Sequence, residues 1–205
     1  MDQDPKETVR RGYDALSHRY DEAFGGDTKY GPWITDLLDR LPEAARVLDL
    51  GCGTGVPVAR DLAAAGHRVR GVDISGVQIA RARELVPAAE FDRADAAALD
   101  LPEESLDAVV CLYALIHLPL AEQPALLGRI GRWLRPGGTL LATAGHRAWT
   151  GTDRDWLGGG VPMWWSQGDA ADYRGWITAA GLAVEAEEFV PEGETGHVLF
   201  RAHRH

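Results

Sequence analysis

Apolar runs of strand length alternate with segments of helical periodicity along the first 145 residues of the chain. The runs predict strands at 47–50, 68–73, 89–93, 106–112 and 139–144. The helical patterns predict helices at 5–24, 31–41, 58–65, 77–85 and 121–134, with a break at Gly25-Gly26-Asp27 after the first. Alternation of this kind predicts parallel strands with helices packed on both faces.

The last third of the chain departs from that alternation. Residues 145–168 are rich in glycine and tryptophan, and a loop is expected there that forms a lid or one wall of an acceptor pocket. An equally open interpretation is an aromatic cluster that covers the edge of the sheet. A helix at 169–180 and an antiparallel pair of strands at 182–190 and 196–202 then complete the sheet.

These elements predict an α/β fold: a Rossmann-like, doubly wound, seven-stranded and mostly parallel sheet with an antiparallel C-terminal hairpin. A length of 205 residues suits the single domain 1–205. Its predicted parts are a helical N-terminal cap (1–42), a ligand-binding core (43–144), the tryptophan-rich loop (145–168) and a C-terminal helix with strands (169–205).

Composition and charge narrow the classes of partner. The chain is 45% hydrophobic and carries a formal net charge of −10, with its basic residues spread out, so nucleic acid is not an expected partner. No apolar run has membrane-spanning length, and the charged N-terminus does not resemble a signal peptide. Two cysteines, Cys52 and Cys111, form no metal-ligand pattern, so no metal is expected. A cytoplasmic monomer or homodimer follows as the expectation.

Candidate chemistry concentrates after the first predicted strand. Gly51, Gly53 and Gly55 follow it at alternate positions, and such glycines form a tight turn that lets a ligand approach the main chain. The dinucleotide fingerprint would need a third glycine where Val56 stands. Asp73 ends the next predicted strand, roughly 20 residues on, where a carboxylate would face a ribose. A nucleotide-like ligand is therefore predicted.

Residues 47–55 and 71–75 together resemble the first two motifs of the class I S-adenosylmethionine-dependent methyltransferases. The resemblance extends over about residues 45–144. It implies S-adenosylmethionine as cofactor and methyl transfer to a small-molecule acceptor by in-line displacement, in which alignment of the reacting atoms supplies much of the rate. Methylation of oxygen or nitrogen is favoured over carbon. No domain for gripping a macromolecule is apparent, which favours a small acceptor over a protein or nucleic acid.

The resemblance also assigns roles to residues. It implies that Asp49 lies near the cofactor's amino group, Asp73 at its ribose, and Asp95 and the Ala96 N–H at its adenine. The other implied cofactor contacts are Tyr13, Tyr20, Gly51, Cys52, Gly53, Gly55, Ile74 and Leu112. Two alternatives stay open: Asp95 could cap a helix, and the tyrosines could simply pack on the sheet.

A general base is needed when the acceptor is a hydroxyl or a protonated amine, and histidine is the usual choice at neutral pH. His117, just beyond the fourth strand, is the first candidate, with a structural role as its alternative. His146 is the reserve. Tyr113, His117, Trp164 and Trp165 are the expected acceptor contacts.

Two rival functions remain at this point. One is an enzyme that binds S-adenosylmethionine but catalyses a cyclisation or rearrangement without transferring methyl. The other is a nicotinamide-dependent dehydrogenase, which Val56 and the absence of a Tyr-x-x-x-Lys pair argue against.

Overall fold

A computed structural model describes residues 4–26 and 28–205. The first helix ends at Phe24, directly before the predicted break, of which Asp27 lies outside the described residues. The strands are β1 Arg46–Leu50, β2 Arg68–Asp73, β3 Glu90–Arg93, β4 Leu106–Cys111, β5 Leu134–Gly145, β6 Trp149–Asp153, β7 Met163–Gln167, β8 Leu182–Glu192 and β9 Thr195–Arg204. The α-helices are α1 Pro5–Phe24, α2 Tyr30–Leu38, α3 Val58–Ala64, α4 Gly76–Leu85, α5 Gln123–Trp133 and α6 Ala170–Ala179.

The main sheet has seven strands in the order β3-β2-β1-β4-β5-β9-β8. The first five strands pair in parallel, and β9 pairs antiparallel with both β5 and β8. The predicted fold class is therefore confirmed. The chain order reverses between β1 and β4, and crevices that bind ligands form at such reversals, beyond the carboxyl ends of the strands.

Helices cover both faces of the sheet because strand residues alternate between two buried sides. On one face, Leu48 and Leu50 belong to the same cluster as the apolar residues of α5 and α6. On the other face, Val47 and Val110 pack with the apolar residues of α2, α3 and α4. The buried sheet is thus a rigid platform for the loops at its carboxyl edge.

Two predicted boundaries are wrong by several residues. Helix α2 ends at Leu38 rather than at residue 41, and the chain continues in tight turns to Leu41. Leu41 precedes Pro42, and a residue before proline is disfavoured in the helical conformation. Strand β5 begins at Leu134 rather than at residue 139, because Leu134 already pairs with Leu106 across an irregularity in the ladder.

The segment 145–168 contains a two-stranded hairpin, β6–β7, instead of the expected irregular loop. Thr150 and Ser166 face each other in its register, and their hydroxyls hydrogen-bond at 2.8 Å. The hairpin packs on α1, where Gly12 leaves room for Met163: a Cβ on Gly12 would lie 2.6 Å from the Met163 methyl carbon. Cross-strand pairing and this contact with α1 explain why the segment is ordered as strands.

Candidate active site

The glycine turn after β1 forms the floor of a crevice at the reversal point of the sheet. Gly51, Gly53 and Gly55 have φ values of 69°, 53° and 74°, in the left-handed region that favours glycine. At Gly51 space is also decisive, because a Cβ there would lie 2.3 Å from the Cβ of Ala114. The sequence pattern therefore reflects both backbone conformation and close packing.

Three neighbouring cavities lie beside one another here, and Tyr20 lines all three. The central cavity, of about 100 Å³, is lined by residues of α1, the glycine turn and the ends of β2, β3 and β4. The loop cavity, of about 80 Å³, lies around Asp49 and the glycine turn. The aromatic cavity, of about 240 Å³, is lined by Tyr13, Tyr20, Phe24, Lys29, Tyr30, Tyr113, Ile116, His117, Trp156, Trp165, Glu192 and His197.

Asp49 is a buried carboxyl group at the base of the loop cavity, with 3% of its surface exposed. Its Oδ2 atom has no hydrogen-bond partner among the described residues. Burial, with a smaller contribution from the charge of Asp73, raises the pKa of Asp49 to about 7. A buried carboxylate of this kind is suited to a cationic hydrogen-bond donor brought by a ligand.

Asp73 organises the glycine turn. Its Oδ2 accepts a hydrogen bond from the Gly53 N–H at 3.0 Å, and its Oδ1 accepts one from the Ser75 N–H at 2.8 Å. Burial raises the pKa of Asp73 to about 6, while these backbone hydrogen bonds oppose the shift. Asp73 also lines the central cavity, and a carboxylate oxygen can accept more than one hydrogen bond.

Asp95 caps a short 3₁₀ turn, Ala96–Ala98, by accepting the Ala97 N–H at 2.8 Å. Its other oxygen accepts a hydrogen bond from Lys6 Nζ at 2.7 Å, and Lys6 also pairs with Glu122 at 2.6 Å. The capping role left open by the sequence is thus present. Asp95 and Ala96 also line the central cavity together with Lys6, which sequence reasoning missed.

Most of the other predicted cofactor contacts lie at these cavities. Gly51, Gly53, Ile74, Leu112, Tyr13 and Tyr20 line the central cavity, and Cys52 lines the loop cavity. Gly55 lines none of the three. It packs against Phe91, whose Cζ would lie 2.8 Å from an added Cβ, so its role in the structure is in packing.

His117 is held between two partners. Its Nδ1 lies 3.0 Å from the Trp164 carbonyl oxygen, which can only accept, so Nδ1 carries the proton. Its Nε2 lies 3.0 Å from the Tyr13 hydroxyl and therefore accepts that O–H. Burial lowers the pKa of His117 to about 4, although the bond to Trp164 opposes the shift. The imidazole is therefore neutral near pH 7.

The remaining predicted catalytic and acceptor residues are dispersed. Tyr113 and Trp165 line the aromatic cavity, whereas Trp164 meets His117 through its main-chain carbonyl. His146 packs on Phe189 with ring centroids 4.7 Å apart and lines none of the three cavities.

Sequence reasoning missed one polar cluster in the aromatic cavity. Glu192 Oε1 accepts hydrogen bonds from Lys29 Nζ at 2.7 Å and from the Tyr113 hydroxyl at 2.6 Å. Glu192 Oε2 lies 3.1 Å from His197 Nδ1. Lys29 and Glu192 are 163 positions apart, and no local pattern signals such a pairing.

The described part of the chain has neither a cluster of metal-ligating side chains nor a helix suited to crossing a membrane. Within residues 4–26 and 28–205, no group of three or more His, Cys, Asp or Glu side chains is arranged to hold a metal ion. Over the same ranges, no helix has the length and apolar character needed to cross a membrane.

The chain is similar in sequence to several known proteins. Residues 47–138 match the profile of a family described as a methyltransferase domain. The 27-O-demethylrifamycin SV methyltransferase of Amycolatopsis mediterranei is 34% identical over 64% of the chain and 56% of its own length. A trans-aconitate 2-methyltransferase of Methylobacterium nodulans is 35% identical over 73% of the chain and 63% of its own length. The chain thus aligns with between half and two thirds of each of these two relatives.

Solved structures extend the likeness of fold over nearly the whole chain. A magnesium protoporphyrin IX methyltransferase of Synechocystis PCC 6803, solved with bound S-adenosylmethionine, superimposes with a TM-score of 0.75 at 21% identity, covering 99% of this chain and 98% of its own. The cyclase SpnF superimposes with a TM-score of 0.72, also at 21% identity, covering 95% and 94%. At this identity the likeness concerns the fold alone.

Proposed function

We propose that the chain is a class I S-adenosylmethionine-dependent methyltransferase that transfers a methyl group to a small-molecule acceptor, a proposal supported by the match of residues 47–138 to the methyltransferase-domain family and by the relatives with methyltransferase names. The observation that carries the proposal is Asp49, a buried carboxyl group with one unpartnered oxygen at the reversal point of the sheet. An amino-acid ammonium group is the kind of donor that would satisfy this oxygen.

The residues of the crevice fit the cofactor. Asp49 would bind the ammonium group, and Asp73 would accept hydrogen bonds from the ribose hydroxyls with its remaining lone pairs. Asp95, Ala96 and Ile74 line the part of the central cavity that would receive the adenine. Gly51 and Gly53 line the same cavity without side chains, so a ligand there could approach their main chain closely. When bound, S-adenosylmethionine supplies an electrophilic methyl carbon on a sulfonium.

The acceptor would occupy the aromatic cavity, because that cavity meets the central one. Tyr13, Tyr20, Tyr113 and His117 line both cavities and mark the junction where the two ligands would meet. The lining of the aromatic cavity, mostly aromatic with a few polar groups, is typical of sites that bind small molecules.

The geometry around His117 supports methylation of a hydroxyl or amine. Its Nε2 already accepts the Tyr13 hydroxyl, so Tyr13 is the group that faces the junction. In the proposal, the acceptor proton passes to the Tyr13 oxygen while the Tyr13 proton passes to Nε2. The low pKa of His117 makes it a weak base, so its contribution is expected at the low end of general-base effects, about 10²-fold.

A cyclisation or rearrangement without methyl transfer is the alternative reaction, and SpnF has the same fold. The curated relatives at 34% and 35% identity, which carry methyltransferase names, favour methyl transfer. Incubation with S-adenosylmethionine and a panel of metabolites, followed by mass spectrometry, separates the two. S-adenosylhomocysteine together with a methylated acceptor supports the proposal, whereas methylthioadenosine or unchanged cofactor with a rearranged compound contradicts it.

The proton path is tested with His117→Asn and Tyr13→Phe. Both variants are expected to lower kcat about 10²-fold on a hydroxyl acceptor while changing the affinity for S-adenosylhomocysteine little. His18→Asn serves as the control, because His18 is an exposed histidine on α1, the helix that carries Tyr13. Wild-type turnover by His117→Asn at saturating acceptor would remove His117 from the mechanism.

A further inference from the structure

The aromatic cavity already contains a cation that belongs to the protein. Lys29 Nζ lies 4.4 Å from the centroid of the Tyr113 ring and 5.6 Å from that of Tyr30. The same ammonium group lies 2.7 Å from Glu192 Oε1. Aromatic faces beside a carboxylate are the usual means of holding a cationic ligand. In this cavity, the cation between the aromatic faces and the carboxylate is Lys29 itself.

The carboxylate of Glu192 also has its hydrogen-bond partners within the protein. It accepts hydrogen bonds from Tyr113, Lys29 and His197. Burial alone would raise its pKa, but the hydrogen bonds from His197, Lys29 and Tyr113 outweigh burial and lower the pKa to about 2. Glu192 is therefore a carboxylate at any ordinary pH, and its charge is balanced inside the protein.

The other end of the cavity consists of rings without a charged group. Tyr20 packs on Phe24 and Trp156 with centroid distances of 5.0 Å and 5.9 Å, and Trp165 packs on His117 at 5.8 Å. These rings come from α1, a 3₁₀ turn, β7 and the loop after β4. Flat ligands gain contact area and ring-to-ring attraction on such surfaces.

We propose that the aromatic cavity receives an uncharged, planar aromatic compound bearing a hydroxyl group, and that Lys29 excludes cationic acceptors. The inference rests on the proposed function and specifies the chemical class of its acceptor. Glu192, the acidic residue that lines this cavity, already binds Lys29, so a second cation would have to displace the Lys29 ammonium to gain a carboxylate partner. A neutral ring meets no such cost. Lys29 is thus a residue that determines specificity, in addition to its pairing with Glu192.

The test uses two probes with the same ring system: 2-naphthol and (2-naphthyl)trimethylammonium. Each is titrated by calorimetry into the full chain saturated with S-adenosylhomocysteine. We expect 2-naphthol to bind about tenfold more tightly or better. In Lys29→Met, which removes the cation and keeps an apolar side chain of similar length, this preference should shrink at least about threefold. Arg174→Met, which breaks an exposed ion pair with Glu187, should leave the preference unchanged.

Several results would overturn the inference. Equal or tighter binding of the naphthylammonium by the wild-type chain, no binding of either probe, or an unchanged preference in Lys29→Met would each do so. The wild-type comparison does not depend on whether the variant folds. Failure of S-adenosylhomocysteine to bind would instead overturn the methyltransferase proposal, and the acceptor inference with it. The two failures are therefore distinguishable.

Discussion

Cofactor affinity should depend on pH through Asp49. The pKa of this carboxyl group is raised to about 7, so lowering the pH below 7 protonates it in the free protein. In the proposed function, the cofactor's ammonium group binds the carboxylate form of Asp49, so a protonated Asp49 would have to lose its proton before the cofactor binds. Affinity should therefore fall as pH falls, approaching tenfold per pH unit, because one pKa unit corresponds to about 1.4 kcal/mol.

The size of the effect follows from the structure. At pH 6, one unit below the pKa of Asp49, affinity for S-adenosylhomocysteine should be about tenfold lower than at pH 8. Asp49→Asn should lower affinity at pH 8 by about 10- to 150-fold, the equivalent of a hydrogen bond to a charged group worth about 1.5–3 kcal/mol. The same variant should lose most of the pH dependence between 6 and 8.

Calorimetric titration with two ligands isolates the effect. S-adenosylhomocysteine carries the ammonium group, and 5′-methylthioadenosine has the adenosine and thioether without it. The affinity for methylthioadenosine should fall by no more than about twofold from pH 8 to pH 6, because Asp73, with a pKa of about 6, is still half ionised at pH 6. Asp39→Asn, at an exposed position, is the matched control. Equal affinity for S-adenosylhomocysteine at pH 6 and 8, or an unchanged pH slope in Asp49→Asn, would refute the reasoning.

Two predictions concern stability. The pKa of His117 is about 4 in the folded chain, below its ordinary 6.5, so the unfolded chain takes up the proton first and stability falls as pH drops from 6.5 toward 4. Urea unfolding of wild-type and His117→Asn should differ in this window by at most about 3 kcal/mol, and less where solvent screens the ring; identical pH slopes would contradict the assignment. Gly12→Ala should destabilise the fold by about 1–3 kcal/mol, because its Cβ would lie 2.6 Å from Met163, whereas Gly128→Ala, with nothing within 4 Å, should stabilise it by about 0.4–1 kcal/mol. Equal melting temperatures for the two glycine variants would show that the contact with Met163 relaxes freely.

The parts of the site that the sequence predicts are those encoded locally. Gly51, Asp73 and Asp95 each lie at the end of a predicted strand or just beyond it, and parallel strands bring their ends to one edge of the sheet. Strand and helix alternation was enough to place these residues together. The hydrogen bond from Gly53 to Asp73 then connects two such ends directly.

The contacts that sequence reasoning missed join residues far apart in the chain. Lys6 is 89 positions from Asp95, and Tyr13 is 104 positions from His117. Their pairing depends on how α1 lies across the carboxyl edge of the sheet, which no local periodicity determines. The hairpin β6–β7 was missed for another reason. Its glycines gave the segment the composition of a loop, and its two short strands pair with each other outside the main sheet.

Helix α1 forms part of the wall of all three cavities, with Tyr13, Tyr20 and Phe24 among its contributions. A kink at Leu16, where φ is −117° and ψ is 19°, lies between the two tyrosines. If the cofactor and the acceptor both contact α1 and both favour the same position of this helix, their binding is not independent. Linkage then requires that each strengthen the other's affinity by an equal factor, which favours a ternary complex over two separately occupied states.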